Sequence, residues 1–273
     1  MSDSNIAFIG GGNMARCLIG GLVTAGTPSR TISVAEPQPE LRKILQKDFG
    51  VNVHADNISA AIGAHVIVLA VKPQILQQVV MSLGSLVAEH RPLLVSVAAG
   101  VTTLSIERWV GDRPALVRVM PNTPALVGAG ISTLYANENV DEDQLKLAET
   151  IMSTVGKTVW IQDESFMDIV TAISGSGPAY FFYIMQAIND AALDNGLDAE
   201  TARLLTLETA LGAARLALES AEDPGTLQKR VTSPGGTTEA AINVLDSSGV
   251  SDAFQNAVSA ARARSCELAK LLD

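Results

Sequence analysis

The chain has 273 residues, 47% of them apolar and 4% aromatic, and a formal net charge of −10. That is apolar mass for one large or two smaller domains, with abundant alanine for close helix packing. The acidic balance excludes nucleic acid, whose phosphates need a basic face, and no uncharged apolar run reaches the roughly 18 residues of a membrane span. Cys17 and Cys266 lack metal-ligand spacing, and no basic segment leads into an apolar stretch at the start. A soluble cytoplasmic protein with buried structural thiols and no bound metal is expected.

In chain order, Ile6–Ile9 reads as a buried strand and meets Gly10-Gly11-Gly12. Met14, Leu18, Ile19, Leu22 and Val23 then recur at helical spacing. Gly10, Gly12 and Ala15 fit G-x-G-x-x-[G/A]. The first glycine makes a tight turn, the second lets backbone N–H groups approach a pyrophosphate, and the small third residue lets helix pack on strand. A diphosphate would sit at the helix N-terminus, where free N–H groups and the macrodipole favour negative charge. A lone glycine triplet is also a common strand–helix turn; strand before and helix after make the dinucleotide reading the better one.

Residues 31–35 read as a second strand ending in Glu36-Pro37. Glu36 lies about 20 residues past the glycine motif, where an acid accepts the adenosine ribose hydroxyls and repels a 2′-phosphate; an exposed strand-end acid is the alternative. Helical patterning follows over 41–49, a short strand over 51–53 and a helical turn over 57–62. The near-continuous apolar run 65–71 is expected of a parallel strand covered on both faces. It ends in Lys72-Pro73, and Pro73 suits the first turn of a helix reaching residue 88. Strand 93–97 ends in Ala98-Ala-Gly100, a helix starts near Thr103, and strand 115–120 ends in Pro121-Asn-Thr-Pro124. Strand 129–135, helix 142–153 and strand 158–161 complete a doubly wound α/β domain over residues 1–162, with ligand-bearing loops at the carboxyl ends of the strands.

From residue 163 to 273 strand signals vanish. Helices are expected over 178–195, 199–222, 238–247 and 252–272, with Gly196 as a stop and Asp198 as an N-cap. Leu204, Leu205, Leu207, Leu211, Leu216 and Leu218 spread around the helix circumference, more apolar surface than a small all-α domain can bury. Part of it is expected to pack against another subunit.

Thr232-Ser-Pro-Gly-Gly-Thr-Thr238 runs straight into a helical pattern. Gly235 and Gly236 expose backbone N–H groups, and Ser233 and Thr237 add hydroxyls, a combination suited to a carboxylate. An ordinary N-cap at Thr237 or Thr238 is the alternative. Ser174-Gly-Ser-Gly-Pro178 also opens a helix, for close packing or for ligand contact. His54, His65 and His90 lie in the first domain, none of them at an expected ligand-bearing strand end, so no histidine serves the second domain as acid or base. A hydride acceptor that needs little help with protons, such as an imine, fits that absence, with Thr238 as hydrogen-bond partner of its nitrogen.

These stretches together resemble the 1-pyrroline-5-carboxylate reductase family over essentially the whole chain. The motifs are Phe8-Ile-Gly-Gly-Gly-Asn-Met14, Ala70-Val-Lys-Pro73, Ser96-Val-Ala-Ala-Gly-Val101, Met120-Pro-Asn-Thr-Pro124, Ser174-Gly-Ser-Gly-Pro-Ala-Tyr180 and Ser233-Pro-Gly-Gly-Thr-Thr238. The resemblance implies a Rossmann-type domain followed by an all-α dimerisation domain. It also implies reduction of pyrroline-5-carboxylate to L-proline with NAD(P)H, in a homodimer or a ring of dimers. It assigns Asn13, Met14, Asn57, Val71, Lys72 and Ala98 to the cofactor, beside Gly10, Gly11, Gly12, Glu36 and the strand-end Pro121. It assigns Ser233, Gly235, Gly236, Thr237 and Thr238 to the substrate and Glu164 to an acidic position near the ligands. Thr238 would hold the ring nitrogen, and Lys72 would position the reactants rather than donate the proton.

Two residues depart from the pattern: Glu36 stands where many relatives carry an uncharged residue, and Arg230 where some have a smaller polar one. The 3-hydroxyacid dehydrogenases resemble the Ser174–Pro178 stretch but carry a lysine one turn later. Here that turn reads Tyr180-Phe-Phe-Tyr183, and oxidation of an alcohol would have no base. A cofactor-binding regulatory protein is the non-enzyme alternative; it would have no need of the 233–238 loop.

Overall fold

A computed structural model describes residues 4–272. Gly177–Ala260 forms one compact unit; residues 4–176 and 261–272 belong to the other.

The larger unit begins β1 (Ile6–Ile9), α1 (Asn13–Thr24), β2 (Ile32–Ala35), α2 (Pro39–Phe49), β3 (Asn52–His54), α3 (Asn57–Ala61) and β4 (Val66–Leu69). It continues α4 (Pro73–His90), β5 (Leu93–Ser96), α5 (Thr103–Val110), β6 (Leu116–Met120), β7 (Gly130–Ala136), α6 (Glu142–Ser153) and β8 (Gly156–Trp160). The sheet has eight strands in the order β3-β2-β1-β4-β5-β6-β7-β8. Pairing is parallel from β3 through β6, antiparallel between β6 and β7, and parallel again between β7 and β8.

Strand alternation builds one core on each face. Ile6 and Phe8 pack with Leu18, Ile19 and Leu22 of α1, Leu45 of α2 and Ile151 and Met152 of α6. Ala7 and Ile9 point the other way, into Leu76, Val80 and Leu83 of α4 and Ile106 of α5. Burial on both faces is why these strands are apolar throughout instead of alternating. The reversal at β7 was not expected from the sequence; a turn of 3₁₀ helix over Thr123–Val127 replaces the crossover helix there.

After β8 come α7 (Met167–Val170) and a π-helical turn over Thr171–Gly175. Then follow α8 (Gly177–Asp194), α9 (Ala199–Glu219), α10 (Pro224–Arg230), α11 (Thr237–Ser247) and α12 (Val250–Leu272). The helix expected over 199–222 ends at Glu219, and α10 is an element that the sequence reading missed. Asp198 caps α9 by accepting from Thr201 N–H at 3.0 Å. Within the smaller unit Ala202 and Thr206 of α9 are buried, whereas Leu204, Leu211 and Leu216 are exposed, as are Phe181, Phe182 and Tyr183 of α8.

Both thiols are half-buried. Burial pushes the Cys17 thiol up. Cys266 donates to Asp168 Oδ2 at 3.1 Å, and that bond pushes its thiol up too. Ser265 Oγ donates to the other oxygen of Asp168 at 2.6 Å, so the end of α12 is fastened to α7.

Candidate active site

The strand order β3-β2-β1-β4-β5-β6 reverses direction of growth between β1 and β4, and ligands of open α/β sheets bind at the carboxyl ends beside such a reversal. Gly10 leaves β1 there with φ +101°, and a Cβ on it would lie 2.7 Å from the carbonyl oxygen of Ala70 at the end of β4. Only glycine fits that turn. Gly11 is buried, and a Cβ on it would lie 2.7 Å from Leu45 Cδ1.

Gly12 is different. Its backbone is extended, at φ −70° and ψ −174°, and a Cβ would meet nothing within 4 Å. Neither backbone strain nor protein packing requires glycine at Gly12, and the space beside its Cα is open. Gly12 is also the N-cap of α1, with no side-chain bond closing the helix start and no acid in the first turn. By contrast α3, α5, α6, α9 and α10 are capped by Asp56, Thr102, Asp141, Asp198 and Asp223. The first N–H groups of α1, at Asn13, Met14 and Ala15, thus have no capping side chain, as is also so at the starts of α2 and α4.

The other cofactor candidates lie after the carboxyl ends of β4, β5 and β6 and at the start of α3. Val71 follows β4, with Cγ1 3.1 Å from the position a Gly10 Cβ would take. Exposed Lys72 is the N-cap of α4. Ala98 is buried after β5, its N–H reaching Ser96 Oγ at 3.4 Å. Asn57 is the first residue of α3. Pro121 is buried at the end of β6, and the neighbouring Asn122 donates Nδ2 to Ser174 O at 3.1 Å and accepts from Ile131 N–H at 2.9 Å through Oδ1.

Glu36 at the end of β2 is turned inward. Its Oε2 accepts from Gly11 N–H at 3.1 Å and its Oε1 from Gln38 N–H at 2.9 Å, and the residue is buried. Glu36 thus braces the glycine turn against the loop into α2, and it is not the exposed strand-end acid the sequence left open.

Glu164 is spent on protein partners. Oε1 accepts from Arg118 Nη1 at 2.7 Å and Thr103 N–H at 2.9 Å, and Oε2 from Thr103 Oγ1 at 2.6 Å. It ties the chain after β8 to the start of α5 and to the middle of β6. No periodicity or motif links the members of this cluster, which lie 61 and 46 residues apart.

In the smaller unit the loop 233–236 leads into α11, whose N-cap is Gly236 with no side-chain bond. No threonine caps α11, which removes the plain-cap alternative and leaves the loop hydroxyls uncommitted to the helix start. Gly235 has φ +72°. Its N–H donates to Glu239 Oε2 at 2.8 Å, so a carboxylate of the chain itself already occupies one of the expected anion donors. A Cβ on Gly236 would lie 3.0 Å from Ser233 O. Glycine at 236 therefore serves the fold of the loop. Arg230 Nη1 pairs with Glu222 Oε2 at 2.6 Å, clasping the two ends of α10. For the Ser174–Pro178 stretch, a Cβ on Gly175 would run into Met120 Cε, so close packing accounts for Gly175.

A parallel sheet in this order, with an uncapped glycine turn at its point of reversal, defines a Rossmann-type dinucleotide-binding fold. Residues 5–100 match the family described as NADP oxidoreductase, coenzyme F420-dependent, and residues 164–268 the family described as pyrroline-5-carboxylate reductase dimerisation. The chain belongs to the pyrroline-5-carboxylate reductase family. It is 47% identical over 272 residues to pyrroline-5-carboxylate reductase of Pseudomonas aeruginosa, covering 100% of this chain and 99% of the relative. The Synechocystis enzyme of the same name is 43% identical, with 97% and 98% covered. Among solved structures, a pyrroline-5-carboxylate reductase from Coxiella burnetii superimposes with TM-score 0.93 at 47% identity over 97% of this chain and 98% of that one. A Plasmodium falciparum pyrroline carboxylate reductase with NADP bound does so with TM-score 0.88 at 31% identity, over 98% and 99%.

Proposed function

We propose that the chain reduces 1-pyrroline-5-carboxylate to L-proline with NAD(P)H, the last step of proline biosynthesis, in the cytoplasm. The observation that carries this is the pair of helix starts with a glycine N-cap and no capping side chain: α1 suited to a diphosphate, and α11, where Glu239 holds the Gly235 N–H, to a carboxylate. Dinucleotide work falls to residues 1–162, and substrate and dimer work to residues 163–273. Gly12 and the open start of α1 fit the diphosphate, with Asn13, Met14, Asn57, Val71, Lys72, Ala98 and Pro121 around the rest of the cofactor. The bound dihydronicotinamide supplies the hydride.

The substrate carboxylate takes Ser233, Gly235, Gly236 and Thr237, displacing Glu239 from the Gly235 N–H. One end of a flat ring is then fixed, and orientation provides much of the rate. Thr238 bonds the ring nitrogen and steadies it as the amine forms. Glu164 acts behind the ligands, through Arg118 and Thr103. The deciding assay follows NAD(P)H oxidation with pyrroline-5-carboxylate and proline formation; no turnover with either cofactor would overturn the proposal.

Substituting Gly12 by alanine is expected to weaken NAD(P)H binding tenfold or more while lowering the melting temperature only slightly. The new methyl occupies the ligand space proposed there, and alanine adopts this extended conformation without strain, so its one cost to the fold is that of a poorer N-cap. Fluorescence titration and a thermal melt on the same sample separate the two effects.

The chain is expected to work as a dimer or a ring of dimers joined through the helical segment, covering Phe181, Phe182 and Tyr183, which are 64%, 62% and 77% exposed in the single chain. Obligate interfaces are large and apolar in this way. Sedimentation at assay concentration checks it, and a stable, active 28.5 kDa monomer would refute it.

A further inference from the structure

Glu36 at the end of β2 opposes a 2′-phosphate by charge, yet a second charged group stands at the same place. Arg42, near the start of α2, folds back over the loop, and its Nη1 donates to Glu36 O at 2.7 Å and to Pro37 O at 2.8 Å. These two bonds fix a half-buried guanidinium at the carboxyl end of β2, where the 2′ position of an adenosine ribose falls in this fold. They use Nη1 alone. Nη2 and Nε make no protein hydrogen bond among the described residues, and no carboxylate lies within 4.0 Å to neutralise the charge. The neighbouring Lys43 is already paired, with Glu40 at 3.0 Å. The Glu36 carboxylate, meanwhile, is satisfied by the N–H groups of Gly11 and Gln38 and points into the protein.

From this we infer that Arg42 is a specificity-determining residue that receives the 2′-phosphate of NADPH. A planar, permanently charged fork with free donors suits a phosphate, and the two carbonyl bonds hold it in place before the ligand arrives. The chain therefore accepts both dinucleotides. NADH needs only the ribose and diphosphate contacts and is used at least as well as NADPH; the phosphorylated cofactor is tolerated through Arg42 despite the charge of Glu36. The inference rests on the NAD(P)H reading above.

The test is equilibrium binding of NADPH, NADH and the fragments 2′,5′-ADP and ADP to the full chain, by calorimetry, for wild type, Arg42→Gln and Arg42→Lys. Arg42→Gln is expected to weaken NADPH and 2′,5′-ADP about tenfold or more, as for loss of a charged hydrogen bond. NADH and ADP should stay within about twofold, and Arg42→Lys should recover part of the loss by restoring the charge. A parallel loss for NADH and NADPH would reduce Arg42 to a prop for the loop and overturn the inference, as would unchanged binding of both. Wild-type chain that binds no dinucleotide would instead remove the cofactor reading itself, a result distinct from either.

Discussion

Thr238→Ala is expected to lower kcat/KM for pyrroline-5-carboxylate roughly ten- to a hundredfold, as for loss of one hydroxyl contact to a reacting nitrogen. Dinucleotide affinity should hardly change. Thr238 is the second residue of α11, half-buried, and plays no part in closing the helix, because the N-cap is Gly236. Alanine is a better helix former than threonine, so the substitution leaves the element intact or slightly firmer. Any loss of rate then reports on the hydroxyl. Steady-state kinetics beside a dinucleotide titration make the measurement, and full activity would take Thr238 out of the chemistry. Gly236→Ala is a less clean probe, since its methyl presses first on Ser233 O.

Glu164→Ala is expected to cost about 3 kcal/mol or more of folding stability, because it strands a buried arginine. The Arg118 side chain is only 7% exposed and that of Glu164 19%, so water replaces the lost partner poorly. The alanine variant also releases the N–H and hydroxyl of Thr103 at the start of α5. Glu164→Gln should cost much less: its oxygen still accepts from Arg118 and Thr103 N–H, while the amide faces a hydroxyl that can turn to accept. Urea unfolding of the two variants gives the comparison. A loss below about 1 kcal/mol in Glu164→Ala would mean that the site admits water and that the pair is worth no more than a surface one.

The parts of the fold legible in the sequence are those under the strongest physical constraint. Strands β1 and β4 are apolar without interruption, and β5 up to its last residue Ser96, because both faces are covered, and the glycine turn has a geometry that few residues satisfy. Helix α10 was missed because residues 224–230 hold a single large apolar side chain, Leu227, and so show no stripe. Its signature was Asp223-Pro224, an N-cap followed by proline in the first turn. The reversal of β7 could have been read from the link between Met120 and Gly130, which is shorter than the dozen or so residues of a parallel crossover.

At the site, the positions of the glycines and hydroxyls could be read, but not what they touch. That Glu239 sits on the Gly235 N–H, that Glu36 turns inward and that Glu164 meets Arg118 are facts of side-chain direction between residues that no periodicity links. The same holds for Arg42, which in sequence is one charge among several on α2.

Asn122 ties together stretches that are distant in the chain, since its one amide holds Ser174 O and Ile131 N–H at once. The turn carrying Pro121, the start of β7 and the π-helical turn therefore share a pivot. Loosening of any one of them strains or breaks a hydrogen bond that Asn122 makes to another. A change at Asn122 would be felt beside the cofactor strand ends and at Ser174 in the same event. Hydrogen exchange would register it as several segments opening at a common rate, where a defect in an independent loop would open one.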